Sequence, residues 1–309
     1  MMKKIIVNKK YNERKLNKII LDELPNLNYN TFCKLLRKKD IKINGKRVNK
    51  DNIIYENDSI EIYLPKELED IKIELDIVYE DENIMIVNKP ANIEVTGKNS
   101  ITEVIAKKYT NCEFKPKPCH RIDRNTTGLV IFAKNQEALE IMLEKFRKHE
   151  IEKHYLAVVY GIPNRKSARL EAYLFKDNKK AQVYVSDIFK KGYQKIITTY
   201  TVLEKREDNT ALLDVEIETG KTHQIRAHLA HIGYPIIGDG KYGKNIINKK
   251  FGKKYQMLYS YKLKFNFYTD AGILEYLKGK EIKKIPNNIK TNRKVLKFII
   301  ILTFFFDFS

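Results

Sequence analysis

The stretch His120-Arg121-Ile122-Asp123-Arg124-Asn125-Thr126-Thr127-Gly128 sets one carboxylate between two guanidinium groups and ends in a turn-forming Thr-Thr-Gly. Opposite charge and donated hydrogen bonds lower a carboxylate's pKa, so Asp123 is expected to be an anion ready to act as nucleophile or base near neutral pH. Exposed Arg/Asp pairs are common and weak, so the run taken alone also fits an ordinary surface loop. A second cluster, Gly220-Lys221-Thr222-His223-Gln224-Ile225-Arg226-Ala227-His228-Leu229, follows a strand-like run and is expected to open a helix. Its Gly-Lys-Thr triplet lacks the glycine that a nucleotide-binding loop needs five residues earlier, where Val215 stands, so nucleotide hydrolysis is set aside. His223, His228 and His231 with Cys119 and His120 have the chemistry of metal ligands but no recognised spacing, and no metal is expected.

These groups need a scaffold. Strand patterns fall at 84–87, 129–133, 155–159, 195–203, 211–217 and 258–267, and helical patterns at 101–109, 136–148 and 222–232. In the second helix Leu139, Met142, Leu143 and Phe146 are placed on one side. Without strict strand-helix alternation, the fold class expected is α+β around a mostly antiparallel mixed sheet.

The first 65 residues form a separate pattern. A short strand at the N-terminus is followed by one helix through Leu16, Ile19, Ile20 and Leu24 and another through Phe32, Leu35 and Leu36. Residues 41–48 then alternate around Asn44-Gly45, a strong hairpin signal because both residues tolerate positive φ. Arg37, Lys38, Lys39, Lys42, Lys46 and Arg47 crowd one helix end and this hairpin, a shape suited to gripping a phosphate backbone. Pro65 and the acidic run Glu67-Leu68-Glu69-Asp70 read as a linker. The organisation expected is a small α/β domain at 1–65, a linker at 66–74, a larger domain at 75–290 and an apolar tail of unknown role at 291–309.

Composition narrows the partners. The 309 residues hold 59 Lys plus Arg against 39 Asp plus Glu, a net charge of +20 that favours polyanions even after allowing for codon bias toward Lys, Asn and Ile. Three cysteines, Cys33, Cys112 and Cys119, form no CxxC pair, which argues against a disulfide framework and for a reducing compartment. The N-terminal apolar run is only three residues long, so no signal peptide is expected. The apolar segment 295–306 falls short of the roughly 20 residues of a membrane span.

Several motifs occur in a fixed order: Tyr79-Glu80-Asp81, Asn88-Lys89-Pro90, His120-Arg121-Ile122-Asp123 with Thr126-Thr127-Gly128, Lys153-His154-Tyr155-Leu156-Ala157 with Gly161, the 220–228 cluster, and Gly233-Tyr234-Pro235-Ile236-Ile237-Gly238-Asp239. From Asn12 to about Lys290 the chain resembles the RluA-type pseudouridine synthases, in the RluC/RluD branch with an N-terminal S-four-type RNA-binding domain, whose ending Asn57-Asp58-Ser59-Ile60 matches. The resemblance implies isomerisation of uridine to pseudouridine in RNA, with the base detached, turned and rejoined through carbon, and without cofactors. It makes Asp123 the catalytic carboxylate, Arg226 its charge partner and Tyr155 the aromatic beside the base. Arg121 would fill the space of an extruded base. Lys89, His120, Thr126, Thr222 and Gln224 are expected to bind substrate, as are Arg37, Lys38, Lys46 and Arg47 in the small domain. Asn92, Thr127 and Lys221 depart from the family's usual Gly, Ser and Arg. The partner implied is RNA, in particular ribosomal RNA or an assembling large ribosomal subunit, met in the cytoplasm by a monomer with no membrane contact. The alternatives are a non-catalytic RNA-binding or ribosome-assembly protein, which has no need of a buried carboxylate, and a sibling synthase acting on transfer RNA.

Overall fold

A computed structural model describes residues 2–24, 27, 29–64, 74–110, 112–287 and 289. The expected linker, save Glu74, and the apolar tail at 291–309 lie outside the described residues. The chain divides into two compact units, Met1–Glu74 and Leu75–Ser309.

The first unit runs β1 (Met2–Ile6), β2 (Arg14–Lys15), α1 (Leu16–Glu23), α2 (Tyr29–Arg37), β3 (Ile41–Ile43), β4 (Lys46–Val48), β5 (Ile53–Ile54) and β6 (Ser59–Tyr63). Its four-stranded antiparallel sheet has the order β1-β6-β3-β4, and β2 pairs with β5. Leu16, Ile19, Ile20, Phe32, Leu35 and Leu36 share one core with Ile41, Ile60 and Ile62, as the helical spacing predicts. The β3/β4 hairpin closes on Asn44 (φ 49°) and Gly45 (φ 76°), the two positive-φ positions of a type I′ turn. Asn44 also ties the turn to β6, accepting from the Ser59 N–H at 2.8 Å and donating to Asp58 Oδ1 at 2.7 Å.

The second unit runs β7 (Ile77–Glu80), β8 (Ile84–Lys89), α3 (Ile101–Lys108), β9 (Lys117–Pro118), β10 (Thr127–Ala133), α4 (Gln136–Arg147), β11 (Ile151–Tyr160), β12 (Ser167–Asp177), β13 (Gln182–Ser186), β14 (Gln194–Lys205), β15 (Thr210–Ile217), α5 (Gln224–His231), α6 (Asn245–Lys250), β16 (Leu258–Phe265) and β17 (Glu281–Lys283). Eleven strands form one sheet in the order β13-β12-β14-β15-β11-β16-β10-β8-β7, with β17 beside β16 and β9 beside β10. The pair β10/β16 is parallel and the other named pairs of this sheet are antiparallel. This is the α+β, mostly antiparallel architecture that the pattern predicts.

Two details of the sheet bear on the site. Strands β10 and β16 meet at Gly128 and Ser260, where a Cβ on Gly128 would stand 2.1 Å from the Ser260 carbonyl oxygen, so no other residue fits. The β11/β16 register shifts between His154 and Tyr155, leaving Tyr261 as the extra residue of a bulge next to Tyr155. Helix α4 starts at an Asn135 cap whose side chain accepts from the Ala138 N–H at 2.8 Å. It packs Ala138, Leu139 and Met142 into a core with Ile131, Leu263 and Phe265, while Leu143, expected on that side, is exposed. Strands β12 and β13 escape the sequence pattern because β12 buries little beyond Ala172 and Leu174. None of the described helices is long and apolar enough to cross a membrane.

Candidate active site

The loop between β9 and β10 that carries Asp123 is held from several directions. Lys89, at the end of β8, is fully buried and donates through Nζ to the carbonyls of Pro90 (2.8 Å), Ile93 (2.8 Å) and Arg124 (3.1 Å). Burial pulls this amine down to about 7, and its three hydrogens are spent on backbone. That corrects its expected role: Lys89 is a strut of the loop and has no hydrogen left for RNA. Thr126 Oγ1 accepts from Gln256 Nε2 at 2.7 Å, and the Thr126 N–H closes a turn onto the Asp123 carbonyl at 3.0 Å. Arg124 Nε reaches the Asn92 carbonyl at 3.3 Å, and Asn92 takes the positive φ (66°) of the glycine it replaces.

Asp123 is flanked in sequence by two arginines, but the guanidinium that reaches it comes from Arg226, 103 residues away. Arg226 Nη1 donates to Asp123 Oδ2 at 2.8 Å. Its other edge forks onto Asp239, Nε to Oδ2 at 2.7 Å and Nη2 to Oδ1 at 2.9 Å. Although burial opposes the charge, the two carboxylates hold Arg226 firmly protonated. Asp239 is fully buried, and Oδ1 also accepts the N–H groups of Lys241 (2.8 Å) and Tyr242 (3.1 Å), which keep it ionised against the cost of burial. The Asp123 side chain keeps 24% of its surface exposed, and no described protein group bonds Oδ1. One guanidinium thus joins an inner, saturated carboxylate to an outer one that retains a free oxygen.

That free carboxylate lines a cavity of about 400 Å³, within the range of small-ligand sites. Tyr155 forms part of the wall, and its phenol is pushed upward by burial and by the Asp123 charge, so it stays protonated. Arg121 is exposed at the rim. Arg147, His149 and Lys221 are exposed on the same cavity, and Lys153 lines it from a buried position. Lys153 and Tyr155 line the same side of β11 because strand side chains alternate.

The remaining predicted residues divide. His120 lines the cavity but is not a phosphate-binding cation. Its Nε2 accepts from the Ile131 N–H at 3.1 Å, its ring lies 4.7 Å from Phe146, and burial drives it down to about 3. Gln224 is buried and occupied by Thr219, Lys221, Ile197 and Thr198, so it frames α5. Thr222 is exposed in the turn before α5 and is not part of the cavity wall, because α5 begins at Gln224 and not at Thr222. In the first unit Arg37, Lys38, Lys46 and Arg47 are all exposed, and Arg47 Nη1 donates to the Lys39 carbonyl at 2.9 Å. The histidines weighed as metal ligands have other partners: His228 Nδ1 lies 3.0 Å from Thr198 Oγ1 and His231 Nε2 2.9 Å from Asp187.

Comparison with known proteins fits this geometry. Residues 83–231 match the family model described as RNA pseudouridylate synthase. An RNA pseudouridine synthase of Mycoplasma capricolum without an assigned target is 32% identical over 93% of this chain and 98% of its own length. The chain belongs to the RNA pseudouridine synthase family. The ribosomal large subunit pseudouridine synthase C of Buchnera aphidicola is 30% identical, covering 78% of this synthase and 81% of the relative. Among solved structures, human RNA pseudouridylate synthase domain containing 1 shares the fold with a TM-score of 0.59 at 19% identity, covering 74% of this chain and 96% of that one.

Three site residues have only faint signals in the synthase's sequence. Asp239 ends the ordered motif 233–239, yet nothing in its spacing announces a buried partner for Arg226. Arg147 and His149 sit in a stretch rich in Lys, Arg and Glu, where their position on the cavity is a matter of tertiary packing alone.

Proposed function

We propose that the cavity is the active site and that Asp123 supplies the carboxylate for uridine isomerisation. The observation that carries this reading is the shared guanidinium: Arg226 saturates Asp239 and leaves Asp123 with one oxygen open to the cavity. A protein that only grips RNA needs cations and gains nothing from an anion placed among them. Arg226 holds Asp123 aimed, Tyr155 offers a protonated aromatic face for the base, and Arg121 at the rim stands where a side chain can replace an extruded base. Thr126 belongs to the loop that sets Asp123 in place. No cofactor is called for, since an intramolecular rearrangement needs no redox or energy input.

The proposed substrate is large-subunit (23S) ribosomal RNA, free or in an assembling subunit, supported by relatives named for the ribosomal large subunit. Residues 1–65 are proposed as an S-four-type RNA-binding domain in which Arg37, Lys38, Lys46 and Arg47 hold phosphates, and residues 75–290 as the catalytic domain. The synthase is proposed to work as a cytoplasmic monomer.

The test is pseudouridine mapping of total RNA from cells with the intact gene, without it, and with Asp123→Asn. Sites lost from both altered strains are expected and identify the target RNA, whether ribosomal or transfer. An unchanged map would overturn the reading.

A further inference from the structure

His223 lines the cavity but has no task so far, and its backbone is unusual. It adopts φ +55° just before α5, a left-handed conformation that residues with side chains take rarely and that persists where the surroundings fix it. Its carbonyl accepts the Ala227 N–H at 2.9 Å, and its Nδ1 lies 2.8 Å from the Tyr242 hydroxyl. That hydroxyl oxygen already accepts the Val183 N–H at 3.0 Å and has its own hydrogen to give to Nδ1. With the hydroxyl donating, Nδ1 is the acceptor and the neutral ring carries its hydrogen on Nε2. No described protein group bonds Nε2.

The charges facing the ring are the carboxylates of Asp123 and Asp239 and the cations Arg226 and Lys241. Burial lowers the imidazole's pKa, Asp123 and Asp239 work against it, Arg226 and Lys241 work with it, and the net direction is down. The ring is neutral at pH 7. A neutral donor suits a neutral acceptor, whereas the phosphates of a substrate are matched by the exposed Arg121, Arg147 and Lys221 on the same cavity.

We propose that His223 is a specificity-determining contact that donates a hydrogen bond from Nε2 to a carbonyl oxygen of the target pyrimidine. This rests on the cavity being the synthase's active site. Tyr242 is then a positioning residue that fixes the tautomer, and Val183 anchors Tyr242.

The experiment compares full-length wild type, His223→Ala, His223→Gln, His223→Asn and Tyr242→Phe on RNA from cells lacking the gene, with Asp123→Asn alongside. His223→Ala is expected to lower kcat by about tenfold, the worth of one substrate hydrogen bond, with RNA affinity unchanged. Gln places an amide near the Nε2 position and is expected to recover most of the loss, while Asn, whose amide falls near Nδ1, does not. Tyr242→Phe removes the group that holds the ring in place, so a loss of kcat smaller than that of His223→Ala is expected, with RNA affinity unchanged. Wild-type activity in His223→Ala, or no advantage of Gln over Asn, would overturn the proposal. Should the His223 variants fail to fold, Tyr242→Phe decides, and an unchanged kcat there overturns it. Full activity in Asp123→Asn would instead refute the active-site reading beneath it.

Discussion

Cations are used in opposite ways by the β3/β4 region of the first unit and by the buried interior of the second. In the first, Arg37, Lys38, Lys46 and Arg47 stand exposed at a helix end and a hairpin, each free to meet a phosphate and each screened by salt. In the second, Lys89, Lys145 and Arg226 are buried and committed: three carbonyls on Lys89, Glu150 and Thr269 on Lys145, two carboxylates on Arg226. Exposed charges supply additive, replaceable affinity. Buried ones supply geometry, and removing one strands its partners without solvation.

Arg226→Lys should show this contrast most sharply. A lysine cannot fork onto Asp239 while reaching Asp123, so kcat should fall on the order of 1,000-fold with RNA binding nearly intact. An effect as mild as that of a hairpin lysine in single-turnover assays would erase the distinction. Next is the Lys145 and Glu150 pair, 2.8 Å apart and solvent-excluded. Burial by itself would raise the Glu150 carboxyl, but hydrogen bonds from Lys145 and Thr269 outweigh it and hold the group down at about 2. A folded pKa below the unfolded one adds stability above the unfolded value near 4.5, lost as pH falls toward 2. That stability should disappear across the window in urea titrations, and Glu150→Gln should flatten the profile.

Lys89→Met is expected to cost about 2 kcal/mol of stability, since it leaves three buried carbonyls without donors while relieving the lysine's own desolvation. It should also lower activity through the loosened Asp123 loop, measurable as a drop in kcat larger than any change in RNA affinity. The smallest effect belongs to Lys46→Ala with Arg47→Ala: RNA affinity should weaken by a few fold, and the slope of log K against log salt should fall by about 1.5, with kcat unchanged. A loss of kcat there would make the two regions alike.

Local signals carried much of this molecule. The Asn44-Gly45 turn, the amphipathic faces of α1 and α2, the central strands and the α+β class follow from side-chain period and turn chemistry within a few residues of each position. The ordered motifs likewise put Asp123, Tyr155 and Arg226 together, and all three line one cavity. Apart from the Asp123–Arg226 pair, which the resemblance implied, what failed was what depends on which neighbour a side chain finds. Lys89 and His120 have the residue types of phosphate ligands, yet backbone groups of their own unit consume them. Arg121 and Arg124 adjoin Asp123 in sequence, but among the described residues it is the Arg226 side chain that bonds its carboxylate. Asp239 has no local pattern to reveal that it anchors Arg226, and His223 none to show that Tyr242 sets its tautomer. Sequence by itself determined the elements and the kinds of group available, because helix, strand and turn preferences act over a few bonds. Only the tertiary structure decided which charges are spent on the protein and which remain for a substrate, because burial and long-range pairing exist only once distant segments pack.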